Sequence, residues 1–397
     1  MKEDDPPLPP LNKGGGRVPV LSPEGKPLMP TKPSRARRWL KEGKAKVAYN
    51  DLGVFCVQLL QEPSGEETQE IAVGIDPGKL YSGVGAVSSK ATLFKAHLQL
   101  PFKSVTQKMT ARRILRRARR GRRINRKLPF EQRCHRQKRF NNRRNAKLPP
   151  SIRANRELEL RVVKELARIY PISRIVYEIV KADVDLTSGR KSAKSGKGFS
   201  PVMVGQKVMV QWLNQIAPVT TKEGWETSAL RKHLGLVKDK TDKSKISPET
   251  HANDGIALAC YAFVEYRKFI DPIRKIRGGK WFGSVELTDC PFVVIARPKL
   301  YRRQLHFENP DSKKPNPSQY RKRKGGTITS YGFRSGDYVE AVKGKKTYRG
   351  WIGGYSEANK VVSLYDINWK RIGQFSVSKT RLIKRSTRLL VEQRKCS

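Results

Sequence analysis

The chain has 397 residues, with 83 Lys and Arg against 35 Asp and Glu, a formal net charge of +48, and 37% hydrophobic residues. That is enough apolar material for a core, so a wholly disordered basic tail is excluded, and the length suggests roughly two to four structural units. A folded chain of this charge repels itself unless a polyanion is its partner. No run of about 18 apolar residues is present to span a bilayer, and the charged segments lack the apolar stripe of an interfacial helix. Nucleic acid is therefore the expected partner, and no membrane is.

Five cysteines (Cys56, Cys134, Cys260, Cys290 and Cys396) stand singly. Without a Cys-x-x-Cys pair, neither a structural zinc site nor a disulfide framework is supported, and a reducing, cytoplasmic setting fits. The acidic start Met1-Lys2-Glu3-Asp4-Asp5, followed by prolines, does not read as a signal peptide.

In chain order, residues 1–17 are Pro- and Gly-rich and expected to be loose. A short extended run at Val18–Leu21 precedes a basic helix near Arg35–Gly43, capped by Ser34 or Thr31, and two strands near Ala45–Tyr49 and Val54–Leu60. After an acidic connector, Ile71–Asp76 reads as a buried strand closed by Pro77-Gly78, a dipeptide suited to a type II turn. Strands at Tyr81–Val87 and Ala91–Gln99 then complete a meander.

From Ala111 to Lys147 the character changes: 17 of 37 residues are Lys or Arg and only Glu131 is acidic. Thr110 is placed to cap a helix running through Arg123. A second helix opens at Ser151, with Leu158, Val162, Leu166 and Ile169 at helical spacing. Arg174–Val180 is a β-branched strand, 187–200 a Ser/Gly/Lys linker, and helices are expected near Val204–Ile216 and Glu226–Leu234. Ser247-Pro248 pairs an N-cap with a first-turn proline, which predicts a helix from Glu249 to Phe269. Beyond residue 285, short strands at Phe292–Arg297, Asp337–Val342, Tyr348–Ile352, Val361–Tyr365 and Arg371–Val377 suggest a small β-barrel.

Two carboxylates stand where apolar residues are expected. Asp76 closes an apolar strand, and Glu178 shares a strand face with Val176 and Val180. Burying a carboxylate there costs several kcal/mol unless a cation or hydrogen bonds compensate. His251 and Asp254, at i and i+3 in a helix's first turns, face the same way. Carboxylates Asp76, Glu178 and Asp254 converging from two strands and a helix can hold two hard divalent ions, magnesium or manganese. Such a pair of ions activates water and stabilises the leaving oxygen of a phosphodiester, with His251 accepting or positioning the water's proton.

This order of elements resembles the RuvC-like nucleases of the RNase H fold, and more specifically the transposon-encoded IscB/IsrB family of compact RNA-guided nucleases. The resemblance rests on Pro27-Leu28-Met29-Pro30 with Ser34-Arg35-Ala36-Arg37-Arg38, on Val73-Gly74-Ile75-Asp76-Pro77-Gly78, on Glu178, on Thr250-His251-Ala252-Asn253-Asp254, and on Lys324-Gly325-Gly326-Thr327 with Gly336-Asp337-Tyr338-Val339. It implies an α/β fold: an RNase H-like (RuvC) split nuclease core with an arginine-rich bridge helix, a small N-terminal domain and a C-terminal small β-barrel domain. The domains it implies are a flexible 1–17, an N-terminal domain at 18–70, three core segments at 71–109, 148–186 and 204–284, the basic segment 110–147, a linker at 187–203, and a C-terminal domain at 285–397 that contacts a target-adjacent motif.

By the same resemblance Asp76, Glu178, His251 and Asp254 are catalytic, the three carboxylates binding two magnesium ions that manganese can replace. Arg35, Arg37, Arg38, Arg112, Arg113, Arg116, Arg117, Arg119, Arg120, Arg122, Arg123 and Arg126 are expected on guide RNA or heteroduplex. Tyr301, Arg302, Arg303, Gln304, Arg321 and Lys322 are candidates for contact with the flanking DNA motif. Ile179–Thr250 contains no cysteine and one histidine, His233, so no second, HNH-type centre can be assembled there. The chain is thus similar to the IsrB branch, which implies nicking of one strand of double-stranded target DNA by a monomer carrying a large structured guide RNA, cytoplasmic and at the nucleoid when on target. The alternatives are a guide-independent RuvC-type nuclease on branched DNA and a non-catalytic RNA-binding protein.

Overall fold

The computed structural model describes residues 16–123, 125–132, 148–180, 201–238, 248–270, 277–290, 292–299, 329, 331–356 and 359–394. Two compact units are distinguished: residues 1–294 with 393–397, and residues 295–392.

The first unit begins with a four-stranded sheet, β2-β1-β4-β3, built from β1 (Val18–Leu21), β2 (Pro27–Thr31), β3 (Ala45–Tyr49) and β4 (Phe55–Leu59), with helix α1 (Pro33–Lys41) after β2. Val18, Val20, Leu28, Ala36, Ala45 and Val57 form its core. Neither Thr31 nor Ser34 caps α1: Lys32 occupies the N-cap without a side-chain bond, and Pro33 starts the helix. Proline satisfies the first helical position by having no N–H to pair.

The main sheet is built on β5 (Ile71–Asp76), β6 (Tyr81–Ser88) and β7 (Ala91–Gln99), an antiparallel meander as expected. Helix α2 (Phe102–Arg123) and helix α3 (Pro150–Ala167) lead to β8 (Arg174–Ile179), which pairs parallel with β5. Helix α4 (Pro201–Leu213) precedes β9 (Val219–Glu223), parallel to β8, and then helices α5 (Gly224–His233) and α6 (Pro248–Cys260). The next strands are the ribbon β10 (Val264–Ile270) and β11 (Arg277–Gly283), followed by β12 (Phe292–Ala296). The strand order is β18-β12-β7-β6-β5-β8-β9, with β18 at Leu390–Arg394. A meander extended by parallel strands through helical crossovers is a mixed α/β sheet consistent with an RNase H-like core.

Four expectations need correction here. Helix α2 starts at Phe102, two turns before Thr110, because Phe102, Val105 and Met109 provide a half-buried stripe ahead of the arginines. Pro77-Gly78 is not a type II turn, since Gly78 does not take the positive φ that turn requires. Its glycine serves space instead: a Cβ would lie 1.8 Å from the Tyr81 carbonyl oxygen. Helix α6 ends at Cys260 rather than Phe269, and Val264–Ile270 is a strand in register with β11, Tyr266 opposite Trp281. Val264 and Tyr266 are β-branched and aromatic, residue types that fit a pleated ribbon. Finally, β12, expected among the C-terminal strands, lies beside β7.

In the second unit, β13 (Tyr338–Lys343), β14 (Lys346–Ser356), β15 (Val361–Tyr365), β16 (Arg371–Ser376) and β17 (Thr380–Lys384) make an antiparallel sheet in the order β16-β15-β14-β13-β17. Val339, Ala341, Ile352, Val362, Leu364 and Phe375 form its core. Asp337, fully buried, is held by the Arg385 guanidinium at 2.8 Å and the Ser386 N–H at 2.9 Å.

No helix among the described residues is long and apolar enough to cross a membrane.

Candidate active site

Glycines set the site's geometry. In β5 and β6, Gly74 pairs with Gly85 and Asp76 with Gly83. Residues two apart share a strand face, so Gly74, Asp76, Gly83 and Gly85 look the same way, and α6 lies on that face. Contact is at backbone distance: a Cβ on Gly83 would sit 1.6 Å from the His251 carbonyl oxygen, and one on Gly74 2.1 Å from that of Gly255. Gly255, itself inside α6, would meet the backbone of Gly83, Val84 and Gly85 at 2.9 Å. Glycine inside a helix costs about 1 kcal/mol relative to alanine, and this close packing is what offsets it.

The parallel register of β5 and β8 sets Gly74 opposite Val176. Two residues on, Asp76 and Glu178 fall side by side on the same face. Glu178, Asp76, His251 and Asp254 accordingly line one cavity of about 140 Å³, together with Thr227, Arg231 and Lys238. Nδ1 of His251 lies 3.6 Å from Oδ2 of Asp76. The His251 ring also contacts Tyr81, with centroids 5.8 Å apart, and the fully buried His97, 5.4 Å away. Burial, with repulsion from His251 and Arg394, lowers the pKa of His97 to about 3 and keeps it neutral.

Glu178 accepts a 2.5 Å hydrogen bond from the Thr227 hydroxyl. Burial first, and then the negative charge of Asp76, push its pKa up to about 7, with Asp254 adding to the rise. A carboxylate held half-protonated at neutral pH by burial and by a neighbouring carboxylate is a place where positive charge is wanted.

Asp254 differs. It is buried and engaged on both oxygens, by the Arg231 guanidinium on Oδ1 and by Lys238 Nζ at 3.1 Å on Oδ2. Arg231 is itself buried and donates to the Ser228 hydroxyl at 3.1 Å. Among the described residues, no set of three His, Cys, Asp or Glu side chains is already spaced to hold a metal ion. Asp76 and Glu178 are the open pair, and Asp254 can join them by releasing Lys238.

Sequence reasoning missed Thr227, Arg231 and Lys238. A signal for two of them was present, since Thr227, Leu230, Arg231 and Leu234 repeat with helical spacing and an arginine in an apolar stripe asks for a buried anion. His233 stacks on Trp281 at 5.0 Å and 15°, away from the carboxylates.

Arg35, Arg37, Arg112, Arg113, Arg116, Arg117 and Arg126 are exposed, and from Thr110 to Ala118 every side chain of α2 is exposed. Arg38 is exposed and 3.8 Å from Glu42. The side chains of Arg119, Arg120, Arg122 and Arg123, together with Tyr301, Arg302, Arg303, Gln304, Arg321 and Lys322, lie outside the described residues.

A family model described as RRXRR protein matches residues 18–198. The pattern Arg-Arg-x-Arg-Arg occurs here at Arg116–Arg120 and again at Arg119–Arg123. No curated protein matches the chain. Among solved structures, Thermus thermophilus RuvC in complex with a Holliday junction substrate is similar at 12% identity and a TM-score of 0.25, covering 48% of this chain and 90% of that one. A second structure of T. thermophilus RuvC has the same identity and coverage, with a TM-score of 0.24. A cryo-EM structure of a CRISPR-Cas12f ternary complex has 12% identity and a TM-score of 0.28, over 58% of this chain and 49% of that one.

Proposed function

We propose that the chain is a metal-dependent, RNA-guided DNA endonuclease that nicks one strand, as its resemblance to the IscB/IsrB family implies. The observation that carries this reading is the convergence of Asp76, Glu178, His251 and Asp254 on one cavity in a chain of net charge +48. Asp76 and Glu178 hold a divalent cation, magnesium or manganese, with Asp254 completing the set. When bound, the ions supply an activated water and neutralise charge on the phosphodiester.

The chain's own residues do the rest. Thr227 fixes the rotamer of Glu178. Asp76 beside Nδ1 orients the His251 ring, which takes the water's proton. Lys238, over a third exposed, leaves Asp254 to meet the anionic phosphate at the rim. A single centre makes one cut, and the displaced non-target strand is its substrate. A 397-residue chain is too small to enclose a heteroduplex of about 20 base pairs alone, so a large structured RNA provides part of the scaffold.

Co-expression with the DNA flanking its gene, followed by sequencing of retained RNA, tests this. The expected result is one discrete RNA whose variable end directs a magnesium-dependent nick in a matched duplex. Nicking indifferent to that RNA leaves a guide-independent nuclease, and a discrete RNA without nicking under any metal leaves an RNA-binding protein.

Two further outcomes are expected. Glu178 must lose its proton to bind a cation, so titrating manganese into the protein between pH 6 and 7 releases protons. Calorimetry in two buffers of different ionisation enthalpy reads this release, which vanishes by about pH 8.5 and in Glu178→Gln. On α2, Arg112→Ala combined with Arg116→Ala weakens RNA retention and lowers the slope of log K against log salt by about 1–2. An unchanged slope would place both side chains off the phosphates.

A further inference from the structure

Opposite the cavity, on the other face of the sheet, lies a buried ionic group that the chemistry above does not use. Arg156 on α3 is 1% exposed and Glu159, one turn on, is fully buried. Their charges are 3.0 Å apart. Neighbours use some of the remaining hydrogen-bonding groups, while Nε of Arg156, Oε2 of Glu159 and Oδ1 of Asn155 make no hydrogen bond among the described residues. Arg156 donates through Nη1 to the Tyr177 hydroxyl at 2.8 Å and through Nη2 to the Gly78 carbonyl at 2.9 Å. The Ser82 hydroxyl donates to Glu159 and accepts the Gly78 N–H at 3.1 Å. Asn155, beside Arg156, donates to the Lys79 carbonyl at 2.9 Å.

One helix therefore grips both backbone groups of Gly78, directly or through Ser82, and the carbonyl of Lys79. Gly78 and Lys79 lie two and three residues after Asp76. The same guanidinium holds Tyr177, the residue before Glu178. Asn155, Arg156 and Glu159 do not line the cavity. Stability is a poor explanation for such a group, because well-packed apolar residues of similar volume usually match or exceed a buried ion pair. A buried pair with convergent hydrogen bonds is instead suited to fixing one geometry.

We propose that Arg156 and Glu159 are positioning residues that lock the Asp76 and Glu178 carboxylates at a fixed separation, so that the cavity is organised before a cation arrives. This rests on the nuclease reading for its consequence and on the hydrogen-bond pattern for its geometry.

The test uses the full chain with its retained RNA. The double variant Arg156→Met/Glu159→Leu keeps the volume and removes the charges. Its melting temperature is expected to stay within several degrees of the parent's, the removed ion pair offsetting the hydrogen bonds lost by Tyr177, Ser82 and Gly78, while manganese affinity by calorimetry falls about 10–100-fold. Amide exchange in the peptide covering Gly78–Ser82 is expected to quicken without metal, and kcat to recover at saturating manganese while the metal concentration for half-maximal rate rises by the same factor. A variant that melts like the parent, binds manganese like the parent and keeps Gly78 protected overturns the proposal.

Should the double variant not fold, Tyr177→Phe, which deletes one hydroxyl, and Arg156→Lys decide the matter by the same readouts. About a tenfold loss of affinity at a melting temperature within a few degrees supports positioning, and unchanged affinity refutes it. If the parent and Asp76→Ala give identical manganese titrations, the nuclease reading has failed. Exchange at Gly78 then judges the positioning claim by itself.

Discussion

Glu178→Gln is expected to abolish cleavage and at the same time stabilise the metal-free protein above neutral pH. The two effects have one cause. Folding carries Glu178 from an ordinary carboxylate environment to one where its pKa is about 7. A group whose folded pKa lies above its unfolded value contributes stability that is complete below the unfolded pKa and is lost as pH rises through the folded one. The loss therefore falls between about pH 4.5 and 8. At about 1.36 kcal/mol per unit, the full shift is worth roughly 3 kcal/mol. The amide cannot ionise, keeps an acceptor for Thr227, and escapes that loss. Differential scanning calorimetry in chelator at pH 8.5 should show the variant melting several degrees above the parent. At pH 4.5 the two should coincide. Cleavage in magnesium should drop on the order of 10³-fold or more, as when a member of a catalytic unit is removed. A variant that cleaves normally would remove Glu178 from the chemistry. One that melts below the parent at pH 8.5 would show that the carboxylate is already neutralised.

This opposition explains what was legible in the sequence. Asp76 and Glu178 stand out as candidates because a carboxylate on a strand of Ile, Val and Tyr is a local contradiction of the kind expected at functional or strained positions, and both line the same cavity. His251 and Asp254 followed from helical spacing. Local pattern could not reveal that Asp254 is paired with Arg231 and Lys238, since those residues arrive from another helix and the loop after it. The positioning pair was hidden for a related reason: Arg156 and Glu159 stand among many charges on α3, and only burial distinguishes them from Arg153 and Glu157, an exposed pair 2.7 Å apart on the same helix.

The ribbon β10–β11 was misread for a different reason. Tyr261–Ile270 is apolar enough for either periodicity, and its choice depends on a distant partner. The Tyr266 ring lies where a Cβ on Gly279 would be, 2.1 Å away, and covers a glycine that helical continuation would leave exposed.

The glycines under α6 were also present in the sequence without being read, and they carry the largest structural prediction. Gly83→Ala places a methyl carbon 1.6 Å from the His251 carbonyl oxygen and 2.4 Å from its carbonyl carbon. Neither is a flexible side-chain end, so α6 itself must move away from the sheet by an ångström or more. That movement opens the packing of Ala72, Val87, Ile256 and Ala259, which belong to one buried cluster. Overpacking of this kind costs about 3 kcal/mol or more, read as a fall in the denaturation midpoint at unchanged m-value. His251 and Asp254 ride on the same helix, and a misplacement of about 1 Å can cost roughly 100-fold in rate. The variant should therefore lose activity even at temperatures where it remains folded, and saturating metal should not restore it, unlike the Arg156 variants.

Gly65→Ala is the matched control, because a Cβ there meets nothing within 4 Å and its φ is not positive. It should stay within about 0.5 kcal/mol of the parent. If Gly83→Ala behaves like Gly65→Ala, α6 does not rest on the glycine floor, and the convergence of His251 and Asp254 with Asp76 loses its structural basis.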